Sequence, residues 1–157
     1  MNNSEKGYRG EAEFGKELWF RFGVQPIEST KEEDMFSHWD FKIQGYKYDA
    51  KSKKMTSVDG KKYIWVEFRN VRGRKGWLFG EADFIAFDFG AFWVVAGRKK
   101  LLEAIKPRVD WDTMINEVDK KVPWKMYSRE GREDGVMWID TMCIMQTEPQ
   151  IWWKSKL

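Results

Sequence analysis

Asp40, Asp49 and Lys51 are the residues whose types and spacing most clearly invite chemistry. They fall in HWDFKIQGYKYDAKS, His38 to Ser52, on either side of Gln44-Gly45. A two-residue turn at Gln44-Gly45, which a glycine in the second central position permits, pairs Ile43 with Tyr46, Lys42 with Lys47, Phe41 with Tyr48 and Asp40 with Asp49. Directly opposed residues of an antiparallel pair have Cβ atoms about 4.5–5.5 Å apart and share a face, so two carboxylates placed there repel each other. Two readings follow. In one, the register slips or the strand ends fray, Lys42 and Lys47 offset the charge, and both aspartates are solvated. In the other, a divalent cation neutralises the pair, since hard cations such as Mg²⁺ are held by one or two carboxylates together with water and phosphate oxygens. Period-2 alternation sets Lys51 on the face of Asp49, beside any such ion.

The remaining elements must position that hairpin. Residues 7–22 read as a helix: Phe14, Leu18 and Phe22 recur at i, i+4 and i+8 as an apolar stripe, and Gly23 supplies a stop. Glu11 lies on the same stripe, whereas Glu13 and Lys16 fall on the other side. An inward carboxylate needs a partner or a cation; alternatively Glu11 simply occupies the first turn, where the helix dipole favours it. Residues 24–37, VQPIESTKEEDMFS, read as a polar connection. Strands are expected at 38–43 and 46–52, at 61–70, where Ile64, Val66 and Phe68 alternate with Trp65, Glu67 and Arg69, and at 82–89 and 91–97. A short helix at 98–105 precedes Pro107. This order predicts an α/β or α+β fold, with a first helix on a mixed sheet of about five strands and a second helix. Beyond Pro107 the texture changes: DWDTMINEVDKK suggests a helix, VPWKMYSREGREDGVMWI a strand–loop–strand, and the tail ends in QIWWKSKL. A single domain spanning 1–157 is expected, with 7–106 as its core and 107–157 as a Trp-rich appendage too short to bury much core alone.

Composition narrows the function classes. At 157 residues the chain has the length of one domain with its own core. Hydrophobic and charged fractions of 42% and 34% fit a soluble globular protein, and no apolar run approaches the ~18 residues that span a bilayer. The stretch MNNSEKGYRGE lacks the basic-then-apolar pattern of a signal peptide, so no membrane association and a cytoplasmic location are expected. One cysteine, Cys143, precludes an internal disulfide and fits a reducing compartment. One histidine, His38, excludes His-rich zinc sites and argues against a His-based triad. The net charge of +3 implies little, but its distribution is uneven. Arg69, Arg72, Arg74 and Lys75 crowd one glycine-punctuated loop, and Arg98, Lys99 and Lys100 another segment. Such clusters attract phosphate, or else are merely solvated faces. The chain has 10 Trp; any that are exposed could stack on bases or fill an interface.

Glu11 on a first helix, Asp40 on one strand and Asp49-Ala50-Lys51 on the next resemble the PD-(D/E)XK nuclease superfamily. There, a first-helix Glu, an Asp and a D/E-x-K tripeptide share a face of a small mixed sheet. The hairpin is similar to that of Holliday-junction resolvases, and YDAKS followed by WVEFRNVRGRKGWLFGEADFIAF is similar to small nuclease-like proteins of tailed phages. The resemblance covers about residues 7–105. It departs from the family at Trp39, where a proline is frequent, and Glu67-Phe68-Arg69 offers a second acidic-x-basic tripeptide. Arg is effectively always protonated and replaces the motif's Lys poorly, which favours Asp49-Ala50-Lys51 and leaves Glu67 as an additional ligand or supporting carboxylate.

The resemblance implies a restriction-endonuclease-like core and a metal-dependent endonuclease acting on DNA, with branched DNA as one substrate class. Asp40, Asp49 and the Ala50 carbonyl would bind Mg²⁺ or Mn²⁺, Glu11 would help hold that ion or a second one, and Lys51 would orient the attacking water. Arg69, Arg72, Arg74 and Lys75 would grip phosphates, with Asn70, Gly73 and Gly76 allowing close backbone approach, and His38 is a further phosphate contact or a structural residue. Resolvases of this superfamily are usually dimers, so a homodimer is expected, in a host cytoplasm if the gene is carried by a phage. The competing class is a catalytically silent nuclease-like fold that binds nucleic acid or a protein through its Trp-rich region. The full acidic set with Lys51 favours the enzyme, because a pure binder gains nothing from carboxylates facing phosphate.

Overall fold

In the computed structural model, residues 3–52, 55–70, 72–115, 122–128 and 131–155 are described. The chain is a mixture of a few helices and two mixed sheets, of six and five strands. It divides into two compact units interleaved in sequence: residues 1–53, 81–98 and 149–157 form one, residues 54–80 and 99–148 the other.

The first unit opens with helix α1 (Asn3–Phe22). Its six-stranded sheet runs β1 (Ile27–Glu28), β2 (Phe41–Ile43), β3 (Tyr46–Lys51), β6 (Phe84–Asp88), β7 (Phe92–Gly97) and β11 (Gln150–Trp153). All pairings are antiparallel except β3 with β6, which is parallel. Phe14 and Leu18 of α1 are fully buried, as the apolar stripe requires, in a cluster with Phe41, Ile43, Tyr48, Ala50, Ala86, Trp93, Val95 and Trp152. Gly15 lets the helix come this close: a Cβ there would lie 2.7 Å from the Phe41 ring. Trp152 of β11 stacks on Phe14, with centroids 5.9 Å apart and planes 11° apart.

The second unit holds β4 (Thr56–Val58), β5 (Lys61–Arg69), β10 (Gly135–Asp140), β9 (Lys125–Tyr127) and β8 (Asp110–Ile115), in that spatial order. It also holds most of helix α2 (Arg98–Ile105), whose first residue belongs to the other unit, and the short helix α3 (Thr141–Met145). Strand β5 anchors its sheet through Ile64 and Val66, both buried, and pairs with β10.

Several expectations are corrected. One sheet of about five strands is instead two, and the strand expected at 61–70 belongs to the second. The tail pairs in the first sheet as β11, while 110–140 supplies three strands of the second. DWDTMI is a strand, not the start of a helix; Asp, Trp, Thr and Ile form helices poorly, and parallel pairing with β9 settles the matter. The rest of that expected helix, 116–121, lies outside the described residues. The polar connection at 24–37 is structured. Ile27–Glu28 pairs with β2, and a π-helical turn follows at Glu33–Ser37. That turn is introduced by a capping box in which Glu33 N–H donates to Thr30 Oγ1 and Thr30 N–H donates to Glu33 Oε1, each at 3.1 Å. No helix among the described residues is long and apolar enough to cross a membrane.

Candidate metal centre

The Gln44-Gly45 turn forms as the spacing requires. Gln44 (φ 49°) and Gly45 (φ 83°) are both left-handed, the signature of the primed turn whose twist suits a hairpin. The register is Phe41↔Tyr48, Lys42↔Lys47 and Ile43↔Tyr46. The expected Asp40–Asp49 pair does not extend the ladder. The Asp40 amide donates to Tyr48 O at 2.8 Å, so Asp40 and Phe41 together face one residue, the count of a β-bulge. Asp40 is held on its other side by Ser29, whose amide donates to Asp40 O at 2.9 Å. Its side chain then reaches across to β3, where Oδ2 accepts the Ala50 amide at 2.7 Å. A local rearrangement thus relieves the head-on opposition while keeping both aspartates at one point of the sheet.

Neither aspartate is solvated, which removes the simpler of the two sequence readings: Asp40 is 6% exposed and Asp49 is 3% exposed. Lys51 Nζ lies 2.9 Å from Asp49 Oδ2, on the same side of β3 as alternation requires. The approach is an ion pair outside hydrogen-bonding alignment, and Asp49 Oδ2 accepts no hydrogen bond. A buried carboxylate oxygen without a donor is costly. Asp40 is the aspartate whose titration shows the crowding. Burial first, then the neighbouring Asp49 and Glu11, push its carboxyl up to about 9, against the opposing pull of Lys51 and the Ala50 amide.

Glu11 completes the acidic group. It is half-buried on α1. Burial, then Asp34, then Asp49 raise its carboxyl to about 7, while Lys51 opposes the shift and Glu28 adds to it. Glu11 is therefore within electrostatic reach of Asp49 and Lys51, as its place on the apolar stripe suggested. Asp34 and Glu28 were not legible as neighbours, because their segment reads as a connection; the Thr30-x-x-Glu33 capping box was the available signal.

Asp40, Asp49 and Glu11 are oxygen ligands of the kind Mg²⁺ or Mn²⁺ takes, and among the described residues Asp49 Oδ2 is met by the Lys51 ammonium without a hydrogen bond. Among the described residues, no three His, Cys, Asp or Glu side chains come together closely enough to hold a metal ion as they stand.

The other expected site residues are distributed differently. His38 is half-buried, caps the π-helical turn in a left-handed conformation (φ 57°), and donates its amide to Glu33 O at 3.0 Å. Its backbone role is structural. Glu67, Arg69, Arg72, Arg74 and Lys75 belong to the second unit, on β5 and the loop after it, and not to the sheet of Asp40 and Asp49. That loop is well organised. Asn70 Oδ1 accepts the amides of Arg72 and Arg74, each at 3.0 Å, Asn70 N–H donates to Arg74 O at 2.7 Å, and Arg69 Nε donates to Glu133 O at 2.7 Å. Arg72, Arg74 and Lys75 are exposed.

A carboxylate that the sequence reading passed over, Glu17, is also buried (4% exposed). It accepts from Arg21 Nε at 3.1 Å and from Ser155 N and Oγ at 3.3 Å, tying the tail to α1. Its bonds are structural. Compared with known protein families, curated proteins and solved structures, the chain matches none.

Proposed function

We propose that the protein is a metal-dependent endonuclease that hydrolyses phosphodiester bonds of DNA, built on a restriction-endonuclease-like core. The observation that carries this reading is the buried Asp40–Asp49 pair with Lys51 against it and Glu11 beside it. Buried carboxylates within electrostatic reach of one another favour a bound proton or a bound cation, and a divalent ion is the cation these oxygens would take. Asp40, Asp49, the Ala50 carbonyl and Glu11 would hold Mg²⁺ or Mn²⁺, which when bound supplies Lewis acidity and a more acidic water for in-line displacement. Lys51, 30% exposed at its side chain, is open enough to meet substrate. Its ammonium orients the attacking water and stabilises the negative charge that develops on the phosphate. The exposed basic loop of Arg72, Arg74 and Lys75 supplies phosphate contacts that carry no sequence information.

One contact favours a second reading, binding without cutting: Lys51 already neutralises part of Asp49. Cleavage separates the two. Wild-type protein is incubated with linear, flapped and branched DNA in Mg²⁺, Mn²⁺ or EDTA, alongside Asp49→Asn and Lys51→Ala. The nuclease reading expects divalent-dependent cleavage that both variants reduce by orders of magnitude, with divalent-ion binding weakened in Asp49→Asn and largely retained in Lys51→Ala. Wild-type protein that cuts none of these substrates, and binds no divalent ion by calorimetry, leaves the binding module standing.

A further inference from the structure

The second unit carries an open cleft of about 550 Å³ lined by Phe79, Lys106, Pro107 and Trp111. Trp111 is its fixed wall, because the indole Nε1–H donates to Lys106 O at 2.9 Å. Two rings brace it, Phe68 at 6.0 Å and 82° and Phe79 at 6.3 Å and 62°. Both meet the indole edge-on, so neither stacks flat against it. The residues that brace Trp111 also frame the basic loop. Phe68 is the last residue but one of β5, its carbonyl accepts the Gly76 amide at 2.8 Å to close the loop, and Phe79 ends the helical turn that follows. Arg69, Arg72, Arg74 and Lys75 therefore lie between two residues that touch the same indole. The Glu133 carboxylate sits against Gly73 and exposed Asp110 and Asp112 flank Trp111, but the end of β5 and its loop carry Arg69, Arg72, Arg74 and Lys75, and Lys106 adds an exposed cation at the cleft itself.

We infer that this cleft stacks an unpaired nucleobase of a single-stranded or splayed DNA segment on Trp111, while Lys106 and the basic loop hold the flanking phosphates. An aromatic platform beside a polycationic strip is the arrangement that single-stranded nucleic acid uses, since every base has a stackable face and the backbone is anionic. An apolar or proline-rich peptide would fill the cleft equally well but gains nothing from the cations. The inference rests on the nucleic-acid reading above and deepens it: the preferred substrate has bases out of the duplex.

The test is fluorescence anisotropy in EDTA at low salt. The probes are a labelled oligo-dT of about 15 nucleotides, the same length of abasic sugar-phosphate, and a matched duplex. Wild-type protein is expected to bind oligo-dT more tightly than either control. Trp111→Ala should weaken oligo-dT binding between about five- and a hundredfold, Trp111→Phe should restore most of it, and duplex binding should be unchanged. The log–log salt slope should stay constant in both variants, because a neutral ring releases no counterion. The abasic comparison uses wild-type protein alone, so a misfolded variant cannot decide the result. Equal affinity for oligo-dT and abasic strand, or displacement of oligo-dT by a polyproline peptide at similar affinity, overturns the stacking site while leaving the nuclease reading intact. Absence of binding to every DNA overturns both. Loss of cleavage without change in these affinities bears on the metal centre only.

Discussion

Asp40 is the residue on which the charge economy of the first unit turns. Its carboxyl, raised to about 9 from an ordinary 3.8, binds a proton more tightly in the folded chain than in the unfolded one. The stability it governs is therefore greatest at low pH. It declines as pH rises from about 4 through about 9, and is flat beyond, with a slope of at most about 1.4 kcal/mol per pH unit. Asn at this position keeps an oxygen for the Ala50 amide and carries no proton to lose. Asp40→Asn should match wild type in thermal melts only below about pH 4 and exceed it progressively toward pH 9, in EDTA. Saturating Mg²⁺ should flatten the wild-type profile, because the ion replaces the proton; identical profiles for the two proteins would show that Asp40 titrates normally. Glu11, raised to about 7 from 4.5, adds a smaller decline that ends near pH 7. Glu11→Gln should lose most cleavage yet hold its stability level or raise it above pH 7. A loss of stability with activity intact would reassign Glu11 to helix-dipole stabilisation alone.

At the scale of elements, the hairpin and the basic loop are both tight turns stabilised by local chemistry, and they serve different ends. The hairpin turn holds β2 and β3 in register, which puts Asp49 and Lys51 on one side of β3 and Tyr48 and Ala50 in the core. The bulge at its end re-aims Asp40 onto the Ala50 amide. The loop after β5 projects Arg72, Arg74 and Lys75 into solvent around the Asn70 side chain. Replacing those three together by Ala should weaken DNA binding for all sequences alike and reduce the log–log salt slope by up to about 3 units. An unchanged slope, measured by anisotropy between low and moderate salt, would remove the loop from the binding surface. Arg69 is excluded from this set because its Nε is already committed to Glu133 O.

For the whole molecule, the interleaving of the two units constrains how the chain can be cut. The first sheet needs β11, whose Trp152 meets Phe14, Phe22 and Tyr48 at 5.9, 6.2 and 6.0 Å and lies beneath the Arg21 guanidinium. The second sheet needs β8, β9 and β10 from 110–140. A chain ending at residue 106 therefore retains neither sheet complete. It should lack a cooperative thermal transition by circular dichroism, where a self-sufficient 7–106 core would show one. Trp152→Ala in the full chain should destabilise it by about 3–5 kcal/mol in denaturant titration, as expected for removing a buried aromatic.

Much of the local order was determined by the sequence itself, because it depends on short-range physics. The α1 stripe of Phe14 and Leu18, the Gln44-Gly45 turn and its three-pair register, strands β5, β6 and β7, and helix α2 all follow from periodicity and turn chemistry. The shared side of Asp49 and Lys51 follows from alternation alone. Tertiary structure decided what depends on partners distant in the chain. DWDTMI became a strand because β9 was there to pair with it, and the tail became β11 because β7 offered an edge and Phe14 a stacking face. Segment 27–37 became an edge strand and a capped turn beside Asp40 once β2 was in place. The bulge that turns Asp40 toward Ala50, the burial that raises Asp40 and Glu11, and the contribution of Asp34 to Glu11 exist only after packing has removed water. A carboxylate's spacing can be read from a sequence, but its desolvation is a property of everything folded around it.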